Sequence, residues 1–156
     1  MLKFIGAIII VLAGGFLSRH AVRFEKKRLS VLDGWIDLIF YIRTQIDCYL
    51  MPLDEILATA DKTLLQFAED HSCKHTLSSL FGATSPYLNA EGQRILRGMI
   101  REMGGSYREE QVKRCDFYLV SLRALREKLA AELPARLKLC PTLSLCTAVG
   151  TAILLW

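Results

Sequence analysis

Three residues with metal-ligating side chains, His71, Cys73 and His75, occupy alternate positions in the stretch HSCKH. Imidazole and thiolate groups are ligands that zinc prefers in proteins. On a helix, however, this spacing turns the cysteine away from the two histidines, and a fourth ligand is not evident nearby. The stretch also resembles a Cys/His nucleophile pair only in residue type. We keep a small membrane-anchored metal-binding or sensor protein that uses these three residues as an alternative function. No metal ligand is assigned.

The acidic residues do not form an arrangement that is typical of a catalytic site. Two adjacent pairs occur, Asp54-Glu55 and Glu109-Glu110, but neighbours on a helix point in different directions. They suit the first turn of a helix, where negative charge is favourable. The sequence also lacks the Gly-x-x-x-x-Gly-Lys loop that cradles nucleotide phosphates. We therefore expect a protein that is not an enzyme and has no cofactor.

Basic residues form the one candidate binding surface. Arg94, Arg97 and Arg101 recur at i, i+3 and i+7, so they share one face of a helix, and Arg123 and Arg126 follow on the next helical pattern. Such a face can dock an acidic partner or can simply be solvated. The net charge of +4 is modest and is concentrated beside the apolar ends, which favours anionic lipid over nucleic acid as a partner.

The stretch GGSYREEQ separates the helix that carries the first three arginines from the next helix. Glycine can end a helix, and a serine followed three residues later by glutamate can cap the start of another. We therefore predict a tight corner between two antiparallel helices. The residues of this corner are Gly104, Gly105, Ser106, Glu109 and Gln111.

Apolar residues recur at helical spacing along nearly the whole chain, which predicts an all-α fold. The apolar stripe of the first long helix comprises Leu29, Leu32, Trp35, Ile36, Ile39, Phe40, Ile42, Ile46, Tyr49 and Leu50. The stripe of the last helix comprises Val112, Cys115, Leu119, Leu122, Leu125 and Leu129, and Arg114 is among the charged residues outside it. Pro52 separates the first long helix from the next, and Gly34 is tolerated within that first helix at a cost of about 1 kcal/mol. We predict an antiparallel bundle of about five to six helices, with a loop at Gly82–Leu88. The helices are expected near residues 21–50, 52–60, 62–73, 72–81, 90–103 and 107–133.

The two ends of the chain are apolar, whereas the middle has the composition of a soluble domain. Residues 1–17 and 137–156 are each about long enough to cross a bilayer, and basic residues lie on the inner side of both. We therefore predict two transmembrane helices around a cytoplasmic bundle, residues 18–136, with a basic hinge marked by Pro134 and Pro141. A signal peptide at the start and a buried helix at the end of a soluble adaptor are the alternatives.

The five cysteines have no paired spacing, and their number is odd. This pattern favours reduced thiols over a disulfide framework, as expected for a domain in the cytoplasm.

The order of these features resembles the stage III sporulation protein AB family. In that family an apolar helix ends in Leu-Gly, and then come a small residue, Ser or Thr, Asp, and a Gln four positions after the Asp. Gly104, Ser106 and Gln111 match this pattern, while Tyr107 stands where the family usually has Asp. The start LKFIGA and the stretch YLMPLDEIL also resemble the family, so the similarity covers nearly the whole chain.

This resemblance implies a concrete function. The family is similar to the F-type platform proteins of type II secretion and type IV pilus systems, whose cytoplasmic domains are helical bundles. We therefore expect a non-enzymatic component of a secretion-like channel complex between mother cell and forespore, located in the mother-cell-derived outer forespore membrane. Its expected partners are a secretion-type ATPase, other membrane subunits of the complex, membrane lipids and a second copy of the chain, but no nucleic acid.

Overall fold

The computed structural model describes residues 2–49, 51–68, 76–103 and 107–154. Every regular element in these ranges is helical, which confirms the predicted all-α class. Two short 3₁₀ turns, Gln66–Ala68 and Ser85–Tyr87, lie between the helices. The α-helices are α1 (Leu2–Tyr49), α2 (Leu53–Thr59), α3 (Lys62–Leu65), α4 (Leu77–Thr84), α5 (Ala90–Glu102) and α6 (Arg108–Leu154).

Helix starts follow local capping chemistry. Thr76 and Ser79 form a reciprocal capping box at α4, in which each side chain accepts the other's backbone N–H at 3.1 Å. This box starts α4 at Leu77, and the helix continues to Thr84. The prediction of a loop from Gly82 is therefore wrong at its first residues, because the exposed Gly82 is tolerated inside the helix.

Two compact units divide the chain. One comprises residues 1–27 and 129–156, and the other comprises Arg28–Lys128. Within the described residues, no helix carries a stretch of the length and apolarity that crossing a membrane requires. The two predicted transmembrane helices are thus not confirmed, and the predicted domain boundaries at 17/18 and 136/137 stay predictions.

The last helix does not break at its prolines. The sequence predicts a helix that ends near residue 133 and a separate transmembrane helix over residues 137–156, but α6 runs without interruption through Pro134 and Pro141. A proline removes one backbone N–H donor and strains one turn, while the turns on either side keep their own hydrogen bonds. The predicted division into two helices is therefore wrong, and the role of the two prolines as a hinge stays a prediction.

The second unit is built on long helices that run antiparallel. Ion pairs join Asp33 to Arg126 at 2.9 Å and Arg43 to Asp116 at 2.6 Å, so residue numbers rise on α1 as they fall on α6. These pairs are half-exposed, and such pairs contribute only about 0–1 kcal/mol each. They fix the register of the two helices more than they stabilise the fold.

The core of this unit is apolar and follows the predicted helical stripes. Five residues of the predicted stripe of α1 are buried, two are half-buried (Leu29 and Ile36), and Leu50 lies outside the described residues. Phe40 is 54% exposed and Tyr49 is 67% exposed. The predicted stripe was wider than the buried face of one helix, which explains why these two residues lie outside the core. The buried residues on α1, α5 and α6 include Leu32, Trp35, Ile39, Ile42, Ile46, Leu96, Met99, Cys115, Leu119, Leu122 and Leu125.

Trp35 is the largest side chain in this core and is fully buried. Its indole N–H donates to the hydroxyl of Thr84 at 3.1 Å, and that hydroxyl in turn donates to the carbonyl of Leu80 at 2.8 Å. Phe67 meets the indole edge to face at 5.6 Å. The Phe67 side chain lies against Gly34, where a Cβ would come within 2.2 Å of the ring carbon Cγ. Because Gly34 has no side chain, the Phe67 ring packs directly against the backbone of α1. The sequence did not reveal this role of Gly34.

Candidate protein-docking site

Helix α5 presents its arginines outward because its other face is buried. Asn89 caps the helix, since its side-chain oxygen accepts the backbone N–H of Gly92 at 2.8 Å. Leu96 and Met99 are fully buried on the inner face. The opposite face must then point to solvent, and the three predicted docking arginines on α5 are all exposed there: Arg94, Arg97 and Arg101.

These arginines line an open groove along α5. The groove has a volume of about 610 Å³, and its lining includes all three arginines together with Gln93 and Gly98. Arg97 stacks 5.6 Å from the centroid of the Phe81 ring and donates to the side-chain oxygen of Gln93 at 3.4 Å. Arg94 and Arg101 form no ion pair within the described ranges, so their charge is available to an acidic partner.

The two predicted arginines on α6 have different roles. Arg126 binds Asp33 through two nitrogens, at 2.9 and 3.5 Å, and this hydrogen bonding raises the pKa of the guanidinium. Arg126 therefore holds α6 to α1. Arg123 is exposed and lies three residues before Arg126, on the side of α6 that is turned toward α1. The structure thus does not bring the five arginines into one surface; only the three on α5 share a groove.

The corner between α5 and α6 lies between two helix ends that backbone hydrogen bonds define. Helix α5 ends as the backbone N–H of Met103 donates to the carbonyl of Met99, and α6 begins as Glu110 and Gln111 donate to the carbonyl of Tyr107. The sequence correctly predicts two helices here, with Glu109 in the first turn of the second. The other predicted corner residues, Gly104, Gly105 and Ser106, lie outside the described residues.

Arg114 and Tyr118 of α6 both form hydrogen bonds to Glu102, the last residue of α5. We call these contacts the corner lock, because they connect the two helices at the corner. The Arg114 guanidinium donates to the backbone carbonyl of Glu102 at 2.5 Å and to the carboxylate of Glu110 at 2.6 Å. The Tyr118 hydroxyl donates to the Glu102 carboxylate at 2.7 Å. Burial and this hydrogen bond raise the pKa of Tyr118 to about 12. A cation against the last carbonyls of α5 also suits the helix dipole.

Sequence reasoning missed this lock. Arg114 and Tyr118 both lie outside the apolar stripe that the sequence predicts for α6. The available signal was the spacing of the two residues by four positions, which places them on one face of the helix. Nothing in the sequence pointed to Glu102 as their common partner, because that contact depends on the geometry of the corner.

The candidate metal site cannot be described in the same way. His71, Cys73 and His75 all lie outside the described residues. Within those residues, no group of three or more metal-ligating side chains comes together. Two cysteines in that part of the chain, Cys48 and Cys115, are free thiols, and burial raises the pKa of the Cys115 thiol to about 11.

The fold and the basic groove together define an all-helical protein whose candidate site is an exposed basic surface on α5. The chain also matches a family model over residues 3–156, that of stage III sporulation protein AB. Because the match covers nearly the whole sequence, the chain belongs to this family. No curated protein and no solved structure matches the chain.

Proposed function

We propose that this chain is a non-enzymatic platform component of the channel complex that forms between mother cell and forespore. Membership of the stage III sporulation protein AB family supports a role at this stage of spore formation. The platform role is supported by an all-helical domain whose outward basic face offers a docking surface. The similarity of the family to F-type platform proteins of secretion systems suggests the same role.

Membrane anchoring is part of this proposal. Apart from Lys3 and Lys138, residues 1–17 and 137–156 carry no charged side chain, and the other charged residues lie between these two segments. The two end segments belong to one compact unit, as two neighbouring anchors would. On this proposal the second unit, Arg28–Lys128, faces the mother-cell cytoplasm from the outer forespore membrane. Extraction at alkaline pH, which strips peripheral proteins, should leave the full chain in the pellet; its release would contradict the anchors.

The proposed partner of the basic groove is the secretion-type ATPase of the same sporulation system. The observation that carries this step is the pair of exposed arginines without an ion-pair partner in the described part of the chain, Arg94 and Arg101, on either side of Gly98. Two cations about 10 Å apart along a helix can engage two carboxylates of a docked protein. On this proposal the apolar ends of the chain, residues 1–17 and 137–156, contact the other membrane subunits of the complex.

Co-purification of the full chain with this ATPase in detergent tests the proposal. Arg94→Glu and Arg101→Glu should each weaken the association, and the loss should be greater at low salt because the interaction is electrostatic. Lys62→Glu is the matched control, since Lys62 is exposed on α3 and its replacement changes the net charge by the same amount. Equal loss with Lys62→Glu would show that net charge alone matters. Association that survives both arginine changes would refute docking at this groove.

The prolines of α6 provide a second test of the platform role. We propose that motion of the second unit reaches the membrane segments through the basic stretch marked by Pro134 and Pro141. Replacing both by alanine should lower channel-dependent gene expression in the forespore. Unchanged expression with a normal protein level would contradict this coupling.

A further inference from the structure

A second, apolar groove lies between α5 and α6. Its volume is about 420 Å³, and its lining includes Ile95, Gly98, Phe117 and Ala124. Gly98 forms part of both grooves, so the apolar groove and the basic groove meet along α5. At Gly98 a Cβ would approach the Tyr118 hydroxyl to 3.3 Å, so the missing side chain keeps this part of the groove open.

An exposed apolar row on α6 borders this groove: Phe117 and Ala124 line the groove together with the polar Ser121, and Val120 is exposed beside them. Phe117, Val120 and Ala124 recur at i, i+3 and i+7, which is the spacing of a seam that packs against another helix. Phe117 is 66% exposed and Val120 is 67% exposed, whereas large apolar side chains elsewhere in this unit are mostly buried. Phe117 also rests edge to face against Tyr118, at 5.3 Å between ring centroids, so the corner lock holds its ring in position.

Cations border this apolar row at both ends. Lys113 lies one turn before Phe117 and Lys128 lies one turn after Ala124, so all share the outward side of α6. On the opposite bank, Arg94 lines the groove. The carboxylate of Glu91, which also lines it, is engaged by Lys128 at 3.6 Å. Because Lys128 and Glu91 offset each other's charge, the remaining positive charge beside the apolar centre comes from Arg94 and Lys113.

We propose that this groove binds an amphipathic helix whose apolar residues pack on Phe117 and Ala124 and whose carboxylates face the surrounding cations. The row from Lys113 to Lys128 is about 22 Å long, which matches a helix of about four turns. Helices that dock in this manner present apolar residues at i, i+3, i+4 and i+7. That the helix belongs to the sporulation ATPase rests on the proposed function. The type of helix that the groove binds follows from the groove's own residues and does not depend on that function.

Binding of a synthetic peptide tests the groove directly. The probe is a fluorescent helical peptide with leucine at the seam positions and glutamate at the remaining exposed positions; its control carries lysine in place of glutamate. The full chain is placed in lipid nanodiscs, and empty nanodiscs correct for binding to lipid. We expect the glutamate peptide to bind about tenfold more tightly than the lysine peptide. Equal binding of the two peptides would overturn the proposal.

Two substitutions locate the binding. Phe117→Ala should weaken the glutamate peptide about tenfold or more, because an exposed aromatic anchor dominates such interfaces. Phe40→Ala is the matched control, since Phe40 is an exposed phenylalanine on α1, and it should have no effect. Ala124→Glu should weaken binding, and Ala58→Glu, at an exposed alanine of α2, should not. Equal effects at the paired positions would refute binding in this groove.

Co-purification of the same variants with the ATPase separates the two proposals. If the peptide binds the groove as expected and the ATPase does not associate with the chain at all, the groove stands and the ATPase proposal fails. If the ATPase associates through Arg94 and Arg101 but neither the peptide nor the ATPase responds to Phe117→Ala, the groove proposal fails and the platform proposal stands.

Discussion

Replacement of Gly34 by alanine is a sharp test of how the second unit is packed. Alanine normally stabilises a helix interior relative to glycine by about 1 kcal/mol. At Gly34, however, the new Cβ would lie 2.2 Å from Cγ and 2.6 Å from Cβ of Phe67. These atoms form the root of the Phe67 side chain, so a rotation of the ring cannot remove the clash. Either α1 or the segment carrying Phe67 must move.

The expected net effect of Gly34→Ala is destabilisation. Overpacking of a well-packed core typically costs about 1–3 kcal/mol. The contact here is far inside van der Waals distance, which places the cost at the upper end of that range. After the gain in helix propensity is subtracted, we expect the free energy of unfolding to fall by about 1–2 kcal/mol. The edge-to-face contact between Phe67 and Trp35 would be disturbed as well.

Urea unfolding followed by circular dichroism, on the full chain in one detergent, measures this effect. Gly82→Ala is the matched control, because Gly82 lies in α4 and a Cβ there would meet nothing within 4 Å. That change should raise the free energy of unfolding by about 0.5–1 kcal/mol. If Gly34→Ala stabilised the protein as Gly82→Ala does, the close packing of Phe67 on α1 would be refuted.

A double-mutant cycle assigns the effect to its cause. In a Phe67→Gly background the clashing atoms Cβ and Cγ are both absent, so Gly34→Ala should become neutral or stabilising. The two substitutions should then be non-additive by about 1–3 kcal/mol, as expected for residues in direct contact. Strict additivity would mean that Gly34 acts through something other than Phe67.

Three further predictions concern the core and the corner. Thr84→Val should lower the free energy of unfolding by about 1–3 kcal/mol, because the buried Trp35 N–H loses its acceptor; urea unfolding would measure this, and an unchanged midpoint would contradict it. Stability should fall as pH rises from 10 toward 12, because the Tyr118 hydroxyl ionises in the unfolded chain before it does so in the folded one. Tyr118→Phe should make that slope shallower, and the part that remains comes from the buried Cys115 thiol, whose pKa is also raised. Alkylation followed by mass spectrometry should modify the exposed Cys48 rapidly and the buried Cys115 only in denaturant, and equal rates would show that α6 does not bury Cys115.

Local patterns explain most of what could be predicted about the elements. The corner after Met103, the start of α5 at Asn89 and the arginine face of α5 all follow from residues within one or two helical turns. The predicted loop at Gly82 failed because a capping box at Thr76 sets the start of α4 and an exposed glycine does not have to end a helix. The predicted break at Pro134 failed for a related reason, since one proline affects one turn and not the helix on either side.

Contacts between distant residues could not be predicted. Arg126 looked like a docking residue because its charge and spacing are visible in the sequence, whereas its partner Asp33 lies on the other long helix. Phe40 looked like a core residue because it belongs to a broad apolar stripe, and only the packing of α1 decided which part of that stripe is buried. The groove at Gly98 was hidden because it is formed by two helices together.

The sequence by itself determined the helical class, the corner and the family, because helix periodicity, capping residues and a linear signature are all local. Only the tertiary structure decided that Gly34 admits the ring of Phe67, that Tyr118 and Arg114 close on Glu102, and that Phe117 stays exposed beside a groove. Each of these depends on the distance between side chains on different helices. That distance is set by how complete helices pack, and no short stretch of sequence encodes it.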